Sequence, residues 1–140
     1  MTKIELIRAS DTFHLEAVNE NGNTIHMDAS PDIGGTGKGM RPMQLLLAAM
    51  GGCSSVDIIS ILKKQKQELK DIKITVTGER EKDAVPALYT EVHAHFMLYG
   101  DLDKDKVQKA VSLSVEKYCS VAKTLEATAK VTYSFEIIKL

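Results

Sequence analysis

The chain has 140 residues with 18 Lys+Arg against 19 Asp+Glu, the size of a single domain that buries roughly two thirds of its unfolded surface. The near-balance of charge leaves no basic field to hold a phosphate backbone or an anionic lipid surface, so neither nucleic acid nor a membrane is an expected partner. Two cysteines, Cys53 and Cys119, exclude a disulfide scaffold, and the opening residues mix charged with apolar side chains as no export signal does. A cytoplasmic protein is expected, in which any disulfide is transient.

Residues 3–28 read as β structure. Ile4 and Leu6 alternate with polar neighbours, as do Phe13, Leu15 and Ala17, then Ile25 and Met27, the period of strands with one apolar face. Asn21-Gly22 supplies a hairpin turn. Residues 30–39 contain four glycines within six positions, which predicts a mobile connector.

Pro42 stands where proline favours opening a helix, and no further breaker is met until after Leu69. The first half of this helix, Met43, Leu45, Leu46, Leu47, Ala48, Ala49 and Met50, is apolar on every face, which predicts burial all round. Lys63, Lys64, Lys66 and Lys70 suit its negative end. Residues 43–62 have about the length of a bilayer span. Asp57 at the centre of a span costs on the order of 3 kcal/mol, and Gly51, Gly52, Ser54, Ser55 and Ser60 point instead to a buried helix of a globular protein.

Ile72, Ile74 and Val76 alternate as a strand, and Leu88, Val92, Ala94, Phe96 and Leu98 form a longer one with Glu91, His93 and His95 on the opposite face. Val107, Ala110, Val111, Ser114, Val115 and Tyr118 recur at the spacing of one helical face, so a second helix ends near Cys119. Residues 121–127 leave room for a short extra helical turn. Val131, Tyr133, Phe135 and Ile137 close the chain as a strand. The order is βββ-α-ββ-α-β, an α+β fold in one domain over residues 1–140.

The strongest local signal for chemistry is Gly51-Gly52-Cys53-Ser54-Ser55. Two glycines inside a helix cost roughly 1 kcal/mol each against alanine, so something approaches the helix closely there. On one reading another helix packs against this one around a buried, inert cysteine. On the other, the glycines open a pocket beside a reactive thiol, which must be ionised from a pKa of about 8.5 to attack. Cys53 lies about three turns inside the helix, beyond the useful reach of its N-terminal dipole, and Asp57 one turn later opposes ionisation.

Activation must therefore come from elsewhere. Arg41 precedes Cys53 by 12 residues, about 18 Å along a regular helix, too far to pair within one chain. A partner subunit or a folded-back strand could bring in Arg8, Arg41 or Arg80. Cys119 is the only other thiol, although a separation of 66 residues does not by itself bring it to Cys53. His93 and His95 share a strand face without the spacing of a metal site and read as solvated residues. The glycine loop has Asp32 and Gly39 where a phosphate-binding loop needs Gly and Ser or Thr. No cofactor, metal or nucleotide is expected.

The segment Arg41-Pro-Met-Gln-Leu-Leu-Leu-Ala-Ala-Met-Gly-Gly-Cys53 resembles the helix of the OsmC/Ohr family, in which a proline-led helix rich in leucine and alanine carries the peroxidatic cysteine. Glu116-Lys-Tyr-Cys119-Ser-Val-Ala resembles the family's second cysteine segment, in the form found in its YhfA-like branch. The resemblance covers essentially the whole chain. It implies an OsmC-like fold, an antiparallel sheet packed with a long central helix, in an intertwined homodimer with two sites at the subunit interface.

The implied activity is reduction of small organic hydroperoxides, with a cellular dithiol as reductant. By the same mapping Cys53 attacks the peroxide, Cys119 resolves the product, and an arginine assists, Arg41 being the first candidate and Arg8 the second. The family's assisting glutamate falls on Met43, and the next position, often acidic, is Gln44. Two other readings share the fold: a non-catalytic binding protein for a small hydrophobic ligand at the dimer interface, and a redox-sensing partner protein.

Overall fold

The computed structural model describes residues 1–140, which gather into two compact units, Met1–Leu46 and Leu47–Leu140. The first unit holds three antiparallel strands, β1 (Ile4–Arg8), β2 (Leu15–Asn19) and β3 (Thr24–Met27), in that spatial order. The Asn-Gly turn forms between β2 and β3 as read. Asn19 folds its side-chain oxygen over it, accepting from the amides of Asn21 and Asn23 at 3.0 and 2.9 Å.

Residues 30–39 depart from the expected mobile connector. The chain passes through a 3-10 turn at Pro31–Ile33 and wraps around the carboxylate of Asp28. One oxygen of Asp28 accepts from the amides of Thr36 and Lys38, both at 3.1 Å, and from the Thr36 hydroxyl at 3.0 Å. The other accepts from the Ala29 amide at 2.8 Å. Glycine is needed for this path: Gly37 takes φ 72°, and a Cβ on Gly35 would collide with the Ala29 carbonyl. Burial of Asp28 works against its ionisation, yet the four donors outweigh it and hold the pKa down at about 2.

Helix α1 (Pro42–Lys64) begins where Pro42 predicts and ends before Leu69. Lys66 turns into the left-handed region at φ 58°, and the amides of Lys66 and Gln67 fold back onto the carbonyls of Lys63 and Leu62 at 3.1 and 2.9 Å. This is a Schellman-type stop with lysine in the place usually taken by glycine or asparagine, so the sequence carries no punctuation there. The expected all-round burial also fails. Met50, Gly51, Ser54, Ile58 and Leu62 are buried, while Leu46, Val56 and Ile59 stay 40%, 68% and 46% exposed. In length and composition α1 is apolar enough to cross a bilayer, a test that core helices of globular proteins also pass.

The second unit is built on a sheet of β4 (Asp71–Arg80), β5 (Tyr89–Tyr99) and β6 (Lys130–Ile138), with β5 in the middle. Val92, Ala94, Phe96 and Leu98 of β5 are buried, as their alternation predicts. β4 pairs with β5 antiparallel through Ile74↔Phe96 and Val76↔Ala94, whereas β6 runs parallel to β5, not antiparallel as expected. A parallel neighbour requires a long crossover. Helix α2 (Lys104–Leu113), a π turn (Ser114–Tyr118) and α3 (Ser120–Leu125) provide it, the last being the short extra helix anticipated near residue 121. Val107, Ala110, Val111, Val115, Ala122 and Leu125 of this crossover complete the core with Met50, Ile58 and Leu62.

Candidate active site at the cysteine pair

The two glycines before Cys53 have different roles. A Cβ on Gly51 would stand 3.2 Å from the Val76 side chain and 3.8 Å from that of Ile74, so Gly51 lets α1 approach β4 closely. Gly52 is exposed and faces open space. Gly51 serves packing, though against a strand rather than the second helix expected, and Gly52 leaves the helix surface bare next to Cys53. Cys53 is half-buried and Cys119 fully buried, both as free thiols.

The route by which Cys119 reaches the interior was not visible in the heptad-like pattern of α2. Val107, Ala110, Val111, Ser114 and Val115 are buried as read, but Tyr118 is 51% exposed. The helical period breaks at Ser114, whose carbonyl accepts the Cys119 amide at 2.7 Å, five residues on. A hydrogen bond closed over five residues, where an α turn closes over four, carries Cys119 rather than Tyr118 onto the buried face.

Ser114 is itself fixed to α1. Its buried hydroxyl hydrogen is shared between the Ser54 carbonyl at 2.9 Å and a carboxylate oxygen of Asp57 at 3.2 Å. The neighbouring Ser54 hydroxyl is satisfied within the helix by the Met50 carbonyl at 2.7 Å. The outcome is that the Cys53 side chain lies within hydrogen-bonding reach of Cys119. The pair that a separation of 66 residues left open is thus brought together.

Cys119 also begins α3, where its sulfur accepts the Ala122 amide at 3.3 Å. Burial pushes the Cys119 thiol up to about 11; Cys53 adds to this by hydrogen bond and charge, and the amides of Ala122 and Val121 only partly offset it. Cys119 therefore rests as a protonated thiol, with the more accessible Cys53 beside it.

The candidate arginines separate by what holds them. Arg8 spends its guanidinium on the carbonyls of Thr12 and Asp11 at 2.9 and 2.5 Å, pinning the loop after β1. Arg80 donates to the Ala87 carbonyl at 2.9 Å across the β4–β5 connection. Arg41 is the residue just before α1; its amide is capped by the Gln44 side chain at 3.0 Å, half of a capping box. Gln44 thus serves the helix end. His93 and His95 lie on the polar face of β5, their ring nitrogens engaged by the hydroxyls of Thr132 and Ser134 at 2.7–2.9 Å.

Ser114 is the site residue that sequence reasoning missed, and Asp57 was read only for its charge beside Cys53, not as the partner of Ser114. The available signal was a serine in the middle of an apolar helix face, since a buried hydroxyl needs a partner on the element it packs against.

Comparison with known proteins gives the family and the fold. The family model described as OsmC-like protein matches residues 35–134. Protein YhfA of Escherichia coli (strain K12) is 42% identical over 120 residues, covering 84% of this chain and 85% of its own. A solved structure of a hypothetical protein from Aquifex aeolicus VF5 is similar at a TM-score of 0.86 and 34% identity, over 100% of this chain and 98% of that one. The organic hydroperoxide resistance protein OsmC of Legionella pneumophila shares the fold at a TM-score of 0.73 and 17% identity, over 97% and 96% of the two chains. By motif, fold and sequence, the chain belongs to the OsmC-like protein family.

Proposed function

We propose that this protein reduces small organic hydroperoxides with Cys53 as the attacking thiol and Cys119 as the resolving one. The observation that carries the reading is the contact between a half-buried thiol and a fully buried one. The Cys53 thiolate attacks the outer peroxide oxygen, the O–O bond breaks, and the alkoxide leaves as an alcohol after taking a proton. Cys53 is then a sulfenic acid. The Cys119 sulfur forms a bond to the Cys53 sulfur, the S–O bond breaks, and hydroxide leaves as water. A dithiol reductant returns both cysteines to thiols and becomes a disulfide itself.

The same reading takes the protein as a homodimer. Leu46, Val56 and Ile59 of α1, and Ile7 and Ile25 of the N-terminal strands, are 40–68% exposed in the single chain, a cost that a second copy would remove. In such a dimer, Arg41 of one chain would serve Cys53 of the other, since its guanidinium is not spent on a loop as those of Arg8 and Arg80 are.

Reduced protein treated with one equivalent of cumene hydroperoxide is expected to give the Cys53–Cys119 disulfide by mass spectrometry, and its absence would sink the assignment. The alternative, a binding protein for a small hydrophobic ligand, is favoured by Met43, which the family resemblance sets at the place of an assisting glutamate. Cys53→Ser separates the two, because an enzyme loses all turnover and a binder keeps its affinity.

A further inference from the structure

Resting on that reading, we infer that Ser114 is a positioning residue for the second half-reaction: through its hydroxyl bonds to Ser54 and Asp57 it holds the π turn that presents Cys119 to Cys53. Three contacts converge on this one residue. Its carbonyl closes the five-residue turn with the Cys119 amide at 2.7 Å, and its hydroxyl ties the same turn to α1 at 2.9 and 3.2 Å. The acceptors on α1 both follow Cys53, at the next residue and one turn on.

Ser114 is completely buried, so no water can replace its hydroxyl without rearrangement. A turn that reverted to α-helical bonding would put Tyr118 on the buried face and rotate Cys119 away by about 100°. Formation of the S–S bond, with loss of the sulfenic oxygen as water, depends on the approach of the two sulfurs, and small misplacements cost such steps heavily. Attack of Cys53 on peroxide uses neither the turn nor Cys119, so the inference predicts that only the second step suffers.

The test follows the two steps apart in Ser114→Ala, with Ser114→Thr as the variant that keeps the hydroxyl. Loss of the Cys53 thiol and trapping of its sulfenic acid by dimedone report the first step, and disulfide formation reports the second. Ser114→Ala is expected to leave the first rate unchanged and slow the second by about ten- to a hundredfold, with Cys53 sulfinic acid accumulating under excess peroxide. Ser114→Thr should restore disulfide formation. A condensation rate within about twofold of the parent protein, or an equal fall of both rates, overturns the role. Closing the pair with diamide, which needs no peroxide-reducing chemistry, tells the two failures apart. If the parent closes with diamide but not with cumene hydroperoxide, peroxide reduction falls while slower diamide closure in Ser114→Ala still supports the positioning role. If the parent closes with neither oxidant, both fall.

Discussion

Asp28 and Cys119 are both buried, ionisable and placed where backbone amides point at them, yet they are driven in opposite directions. Burial disfavours the charged form in each case. Around Asp28 the chain gathers three amides and a hydroxyl, and the carboxylate stays ionised with a pKa of about 2. Around Cys119 the amide of Ala122 is opposed by burial and by Cys53, and the thiol rises to about 11. The number of convergent donors decides the sign. The N-terminal loop uses its buried charge as a structural post; the crossover keeps its thiol protonated until the neighbouring cysteine changes state.

The harshest way to break the comparison is Asp28→Asn, which replaces an acceptor-only carboxylate with a group that carries donors of its own. The amides of Thr36 and Lys38 are expected to lose their protection from hydrogen exchange, with residues 30–39 becoming the mobile connector that their glycines suggest. The pH dependence sharpens this. Folded Asp28 has a pKa near 2 against 3.8 in the ordinary state, so the unfolded chain binds the proton first. Its stabilising contribution is present above pH 3.8 and is lost as the pH falls towards 2. The urea midpoint should fall across that window in the parent protein, and Asp28→Asn should lose that part of the slope.

A smaller effect is expected on the other side. Cys53→Ser removes the sulfur whose hydrogen bond and charge raise Cys119, so the Cys119 pKa should drop below about 11 but stay above its ordinary 9.0, because burial, the largest cause, persists. Titration of the ultraviolet thiolate absorbance measures this, and an unchanged value would show that the two sulfurs do not interact. Smallest of all, Thr36→Val deletes one donor of four and keeps the backbone amide. Asp28 should rise by less than about one pKa unit, followed by carboxyl NMR.

How far each element could be read depends on whether its cause is local. The alternation of Val92, Ala94, Phe96 and Leu98 gives β5 directly, and Pro42 gives the start of α1. The end of α1 was illegible because Lys66 adopts a left-handed turn with no glycine to announce it. The Asp28 clamp was hidden behind glycines that look like flexibility when the acceptor at their centre is not considered. Gly51 and Gly52 are identical letters with different duties, one set by Val76 and the other by open space.

The sequence by itself determined the element order, the apolar faces and the two cysteine motifs that mark the OsmC-like family, since each is carried by residues within a few positions of one another. Tertiary structure alone decided that Cys53 meets Cys119, that Tyr118 points outward, and that β6 runs parallel to β5. Periodicity records what faces a core, whereas a single π turn, fixed by a hydroxyl bond to a helix 57 residues away, decides which side chain arrives there.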